Sequence, residues 1–448
     1  HDGTCSAECI MSKDMLIKNA LLWPAADRDV IENGSLLIRD GRIVRIGRFT
    51  YRADVEIDAG GALVMPGFIQ THIHLCQTIF RGIAEDMPLL PWLRNYIWPM
   101  EAAHDPASLR ASALLACAEM ISSGTTAFMS METTRHTQTV FEAVDEAGLA
   151  GVICHCLMDE SGGYEPIAEP TDDALAYCDV LLDEWGDHDR LELGVAPRFA
   201  LSCTSENMRK ASDYARARGL LLHTHASEQR AEVDLVRERT GLYNIDYLNT
   251  VGLSGPDVCL AHCVHTQPHE RDLLVETDTR ILHCPSANLK LASGIAPIPE
   301  YLDLGLTVSM GADGTPCNNR MDQFMEMREA GLIQKPRLGA EALPARAVVN
   351  MATLAGAKTI RRDHEMGSLE EGKRANLILV DQDSFHVLPS SDIAANVVYG
   401  HVSSDVLMTM VDGRILYEAG TFTTIDDEAL RDEVKTQRRA LMKRAGLG

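Results

Sequence analysis

The sequence contains no apolar run near the roughly 20 residues that a membrane-spanning helix requires, and no basic segment followed by an apolar core near its start. A cytoplasmic setting without a membrane partner is the expectation. Positive charge is scarce: 41 Lys and Arg stand against 65 Asp and Glu, a net charge of −24. A field of that sign repels polyphosphate backbones, which excludes nucleic acid and favours a neutral or cationic small molecule. The 12 cysteines include no Cys-x-x-Cys pair. They are scattered through apolar stretches, as Cys259 and Cys263 are, and read as buried free thiols rather than a disulfide set. Residues 1–10 fit neither the apolar pattern nor a targeting signal. Met11 makes a sensible native start, so the preceding stretch reads as an expression remnant.

What is present is the composition of a globular protein, 46% hydrophobic and 24% charged over 448 residues. That length suits one large domain and a smaller one. From Met15 to Val64, short alternating runs are broken by turns such as Asp40-Gly41, the grammar of β-hairpins. It returns in Ala375–Val380 and Val406–Val411, followed by Asp412-Gly413 and Ile415–Tyr417. A single small sheet domain built from both ends is predicted, with its parts at 11–66 and 363–425 and a terminal helix at 426–448. Between them, at 67–362, eight short apolar runs end in polar or Gly/Pro residues: Phe68–His74, Thr125–Met129, Gly151–Cys156, Leu193–Pro197, Leu220–His225, Val258–His262, Arg280–Cys284 and Leu306–Asp313. Helix signals separate them, including the Asp105-Pro106 start and the Glu206–Arg218 stretch closed by Gly219. Eight β/α repeats point to an α/β fold, a (β/α)8 TIM barrel carrying a small composite β-sandwich.

His72 and His74 are two apart on the first run, so a strand presents both on one face. With 16 histidines in the chain, chance alone supplies about half of one such pair. The position of the other candidates is more telling. His225 ends the fifth run, His262 the sixth and Asp313 the eighth, all at the strand carboxyl ends where barrel active sites are built. A single buried histidine is usually a core group bonded to a carbonyl; a set sharing one rim calls for another reason. Imidazoles and one carboxylate suit a borderline divalent ion, Zn²⁺ or Fe²⁺, with a position left for water. His72, His74, His225 and Asp313 are therefore the expected ligands of one metal, with His223 as a supporting group. Glu228, three residues past His225, is placed to carry a proton, Asp313 to accept one from water, and His262 to stabilise charge on the attacking oxygen.

These residues lie in Met65-Pro-Gly-Phe-Ile-Gln-Thr-His-Ile-His74, His223-Thr-His-Ala-Ser-Glu228, Ala261-His-Cys-Val-His265, His283-Cys-Pro-Ser-Ala-Asn-Leu-Lys-Leu291 and Gly311-Ala-Asp-Gly314. In them the chain resembles the amidohydrolase superfamily, specifically its mononuclear deaminase and chlorohydrolase branch. The resemblance implies hydrolytic removal of an amino group from a nitrogen heterocycle, the ligand and catalytic roles just given, and a homo-oligomer. Relatives with two metals carry a bridging carboxylated lysine at the fourth strand, which here ends in Ala196-Pro-Arg-Phe199; one metal is expected.

Two substrate patterns overlap. Arg81–Asp86, Trp92, Trp98-Pro-Met-Glu101 and Asp313–Asn319 resemble deaminases of S-adenosylhomocysteine and methylthioadenosine, in which Trp92 and Glu101 would contact the nucleoside. Gln77 and Pro197-Arg-Phe-Ala-Leu-Ser-Cys203 resemble guanine deaminase, in which Gln77 and Arg198 would read the base. Arg198 offers fixed donors to a ring oxygen and Gln77 both donates and accepts, so a guanine-like oxo-amino ring is the leading expectation. Either side chain could instead serve a neighbouring protein group. An adenosine-type substrate, a triazine losing chloride and a non-catalytic assembly protein are the alternatives.

Overall fold

The computed structural model describes residues 13–161 and 163–447; the 1–10 stretch read as a remnant lies outside them. Eight strands, β1 (Phe68–Ile73), β2 (Thr125–Met131), β3 (Ala150–Leu157), β4 (Leu191–Pro197), β5 (Leu221–Ala226), β6 (Val258–His262), β7 (Arg280–His283) and β8 (Val308–Met310), pair in sequence order, each parallel to the next. Buried apolar runs punctuated by polar ends produce this arrangement, because a parallel sheet covered by helices hides both faces of every strand. β8 is shorter than the apolar run that predicts it. Past Met310 the chain leaves the β7 ladder after Gly311 N–H donates to His283 O (3.0 Å) and crosses to β1, where Asp313 N–H donates to His72 O (2.9 Å). An isolated parallel bridge between Ile73 and Asp313 accompanies that bond and closes the barrel. Gly311 permits the crossing, since a Cβ on it would lie 2.3 Å from His72 O.

The helices carry the expected signals. Asp105 caps Pro106–Ser122 by accepting from Ser108 N–H at 2.9 Å, and Gly219 ends Ser205–Arg218 in the left-handed region at φ +69°. The last helix, Asp427–Arg444, packs on Pro106–Ser122 and donates from Arg438 to Ile79 O and Arg81 O, at 3.1 and 2.7 Å.

Strands from both ends of the chain form a second, nine-stranded mixed sheet. Leu63–Pro66 joins the two halves, pairing with Met15–Leu22 on one side and Leu377–Val380 on the other. Its apolar face buries a separate core that includes Ile17, Leu36, Val64, Leu377 and Met408. The Asp40-Gly41 and Asp412-Gly413 turns meet there: a Cβ on Gly413 would lie 2.9 Å from the Gly41 Cα. Among the described residues, no helix is long and apolar enough to cross a membrane.

Candidate metal centre

The barrel's carboxyl rim delivers the predicted residues to one place. His74 follows β1, His225 lies near the end of β5, His262 ends β6 and Asp313 lies three residues beyond β8. Nitrogen atoms of His72, His74 and His225 fall within 4.8 Å of one another, as do ligand atoms of His72, His262 and Asp313. Asp313 Oδ1 is 3.4 Å from His72 Nε2 and 3.2 Å from His74 Nε2, and its Oδ2 is 3.9 Å from His262 Nε2. Ser227, His262 and Asp313 hold positive φ values of 52°, 74° and 62°. Left-handed backbone costs a non-glycine residue on the order of 1 kcal/mol or more, and here it turns the chain inward just past the strand ends.

Each imidazole is oriented from behind. His74 Nδ1 donates to Met131 O (2.7 Å), His225 Nδ1 to Arg198 O (2.8 Å) and His262 Nδ1 to Asn288 Oδ1 (2.9 Å). A carbonyl oxygen only accepts, so these rings keep the proton on Nδ1, and His74 and His225 thereby present a bare Nε2. His72 Nδ1 lies 2.7 Å from His223 Nε2, which gives His223 the supporting position expected of it. The Nε2 atoms of His72 and His262 are buried without a hydrogen-bond partner. Burial lowers His72 to a pKa of about 4 and takes His225 well below the ordinary histidine value, so both rings are neutral at physiological pH. Burial raises the Asp313 carboxyl, but His72 and His74 outweigh it and hold the group well below the usual carboxylate range. Neutral imidazoles with bare nitrogens around one carboxylate fit a borderline divalent cation, and His72, His74, His225 and Asp313 could hold it.

Glu228 is buried two residues past β5, with Oε2 3.6 Å from His262 Nε2. Burial raises its pKa, and Asp313 adds to the rise. For His262 the lowering effect of burial is outweighed by Glu228 and Asp313, which raise it. Glu228, His262, His74, His225 and Asp313 line one cavity together with Gln77, Trp92, Arg198, Phe199 and Leu291. Glu101 stands behind this wall. Its carboxylate accepts from Arg198 Nη1 (2.6 Å), Arg198 Nη2 (3.0 Å) and Gln77 Nε2 (2.7 Å), while Gln77 Oε1 has no partner. Phe199 also borders an outer hollow that includes Arg94, Asp159, Glu165 and Arg239.

Asn288, Ser293 and Glu232 also touch the site and were not singled out from the sequence. Ser293 Oγ donates to Glu228 Oε1 (3.2 Å), and Glu232 Oε2 accepts from Glu228 N–H (2.8 Å). The Gln229-x-x-Glu232 spacing of a capping box was the available signal for Glu232.

The sequence profile of the Amidohydrolase family matches residues 63–416. A 5′-deoxyadenosine deaminase of Methanosarcina acetivorans is 36% identical over 438 residues, covering 96% of this chain and 99% of that protein. A 5-methylthioadenosine/S-adenosylhomocysteine deaminase of Moorella thermoacetica is 36% identical over 428 residues, covering 94% and 98%. The crystal structure of an adenosine deaminase from Xanthomonas campestris with bound zinc superposes with a TM-score of 0.91 at 26% identity, over 96% of this chain and 99% of that one. The chain therefore belongs to the amidohydrolase family, as a hydrolase acting on carbon–nitrogen bonds.

Proposed function

We propose that this protein is a deaminase of adenosine-type nucleosides altered at the 5′ position, dependent on one divalent ion, Zn²⁺ by preference. The observation that carries the reading is the convergence of His72, His74, His225 and Asp313 beside Glu228 and His262. The names of the relatives support the nucleoside class and the zinc of the structural neighbour supports the metal.

His72, His74, His225 and Asp313 would hold the ion, whose Lewis acidity makes water a usable nucleophile near neutral pH. Asp313 takes a proton from that water as its oxygen bonds to the ring carbon bearing the amino group. Glu228, whose acid form burial favours, protonates the adjacent ring nitrogen, which retains that proton in the product. His262 donates from Nε2 to the oxygen where charge develops. The hydroxyl proton of the tetrahedral centre then restores Glu228. Asp313 passes its proton to the departing amine, the carbon–nitrogen bond breaks, and ammonia and a lactam remain.

Gln77 and Arg198 line the cavity and would meet the nucleoside, with Trp92 supplying an apolar wall. The same pair of an acceptor beside fixed donors favours a second reading, an oxo-amino ring such as guanine. Ammonia release from 5′-deoxyadenosine, methylthioadenosine, S-adenosylhomocysteine and guanine, measured side by side, separates the two. Turnover of guanine alone rejects the first reading, and turnover of none rejects both. A cytoplasmic homo-oligomer belongs to the same proposal, and sedimentation of the purified protein tests the assembly.

A further inference from the structure

We infer that Ser293 and Glu232 are positioning residues for Glu228, one fixing a single carboxyl oxygen and the other the backbone that carries the side chain; the inference rests on the proton-carrying role proposed for Glu228. Glu228 lies outside any regular element, just after left-handed Ser227. A glutamate on such a loop has three side-chain torsions to fix before its carboxyl can meet a reacting atom in productive geometry.

Glu232 secures the loop. From the first turn of the helix Arg230–Thr240, its Oε2 accepts from Glu228 N–H at 2.8 Å and Gln229 N–H at 3.4 Å. The second contact is that of an ordinary capping box; the first reaches one residue further, to Glu228 itself. Glu232 Oε1 accepts from Asn244 Nδ2 at 3.0 Å, which fixes the carboxylate in turn.

Ser293 secures the other end. Its hydroxyl donates to Glu228 Oε1, leaving Oε2 as the oxygen 3.6 Å from His262 Nε2. Ser293 is held on both sides, its N–H donating to Asn288 O (2.8 Å) and its carbonyl accepting from His265 Nε2 (2.7 Å). Left-handed Ala292, at φ +54°, turns it toward the site. Asn288, on the helix Pro285–Lys290, also orients His262 through Oδ1. One segment, 288–293, thus holds both groups that would act on the substrate, and the transferred proton resides on Glu228 Oε2.

Ser293→Ala, Ser293→Thr, Glu232→Ala, Glu232→Gln and Glu228→Gln, prepared as metal-loaded full-length protein, test this. Ser293→Ala is expected to lower kcat by about tenfold with KM within about twofold, because one hydrogen bond to an acid in the reacting geometry is lost. Metal content, melting temperature and calorimetric affinity for the nucleoside product should stay at wild-type values. Ser293→Thr keeps the hydroxyl and should return kcat to within about threefold. Glu232→Ala should likewise depress kcat. Glu232→Gln should restore most of it, since its amide oxygen can accept from Glu228 N–H and Asn244 Oδ1, which has no partner now, can turn to accept from its amide nitrogen. Wild-type kcat in Ser293→Ala and Glu232→Ala, beside an inactive Glu228→Gln, overturns the inference and leaves the proposed function standing. Full activity in Glu228→Gln overturns the proton-carrying role and the inference with it.

Discussion

Arg198 and Glu101, 97 residues apart in sequence, form a bidentate ion pair whose side chains are 3% and 0% exposed. Two charges withdrawn from water are tolerated only with near-complete mutual satisfaction, and Gln77 supplies a third donor to the same carboxylate. The pair ties Arg198, which lines the cavity, to Glu101 behind it.

Removing one partner should therefore cost far more than removing both. Glu101→Ala leaves a buried guanidinium uncompensated and is expected to destabilise the protein by about 3–5 kcal/mol. The double variant Glu101→Leu/Arg198→Met should lose clearly less. Thermal unfolding of the single and double variants checks this, and a double variant as unstable as Glu101→Ala would refute it.

Metal removal should abolish turnover and lower the melting temperature together. A ligand that binds only the folded state, present at a hundredfold excess over its dissociation constant, stabilises by about 2.7 kcal/mol. Chelated protein should regain both activity and melting temperature when Zn²⁺ is added back. His74→Ala and His225→Ala should retain well under one ion per chain by elemental analysis.

Glu228→Gln separates ion binding from proton transfer. The amide preserves shape and the hydrogen bond from Ser293 but carries no acidic proton. Metal content is expected to be unchanged, while kcat falls by about 100-fold or more. A loss of metal in this variant would instead place Glu228 among the ligands.

The eight barrel strands were legible because each pairs an apolar run with a polar end, and the convergence of the candidate ligands because they recur at those ends. β8 was overestimated: Leu306–Asp313 is continuous in sequence, but the chain leaves the ladder at Gly311 to reach β1. The strand Val55–Asp58 has largely exposed side chains and gives no alternating apolar signal. Ser293, Asn288 and Glu232 act through single hydrogen bonds between loops, which leave no periodicity. Gln77, Glu101 and Arg198 were each noted as candidates, yet nothing in the linear order shows that Glu101 takes donors from both of the others.

Acid should destabilise the fold through buried histidines outside the metal centre. His155 faces Thr137 Oγ1 through Nδ1 at 2.8 Å, has no hydrogen bond on Nε2, where Glu169 Oε2 lies 3.9 Å away, and burial lowers its pKa from 6.5 to about 4. A lowered histidine binds fewer protons when folded, so its share of stability is complete above pH 6.5 and lost as pH falls toward 4. His155→Asn, which keeps a polar atom near Thr137, is expected to reduce the drop in unfolding free energy between those pH values by on the order of 2 kcal/mol. Denaturant titrations at pH 7.0, 5.5 and 4.5 (about these values, spanning the window) would show parallel curves for variant and parent if His155 contributes nothing.

Gly311 offers the sharpest test of how barrel closure serves the site. A methyl group there would meet His72 O at 2.3 Å and His72 N at 2.5 Å, and backbone cannot swing aside as a flexible side chain can. Relief requires β8 to move away from β1, which lengthens the Asp313 N–H to His72 O bond and separates two groups expected to share the ion. Gly311→Ala should thus lose metal and several kcal/mol of stability together, near the upper end of single-residue effects. Gly219→Ala is the control: its φ of +69° strains an alanine, but nothing lies within 4 Å of the added Cβ. That variant should lose only about 1 kcal/mol and keep its metal. Equal losses in the two variants would mean that backbone strain, and not the approach of β8 to His72, governs position 311.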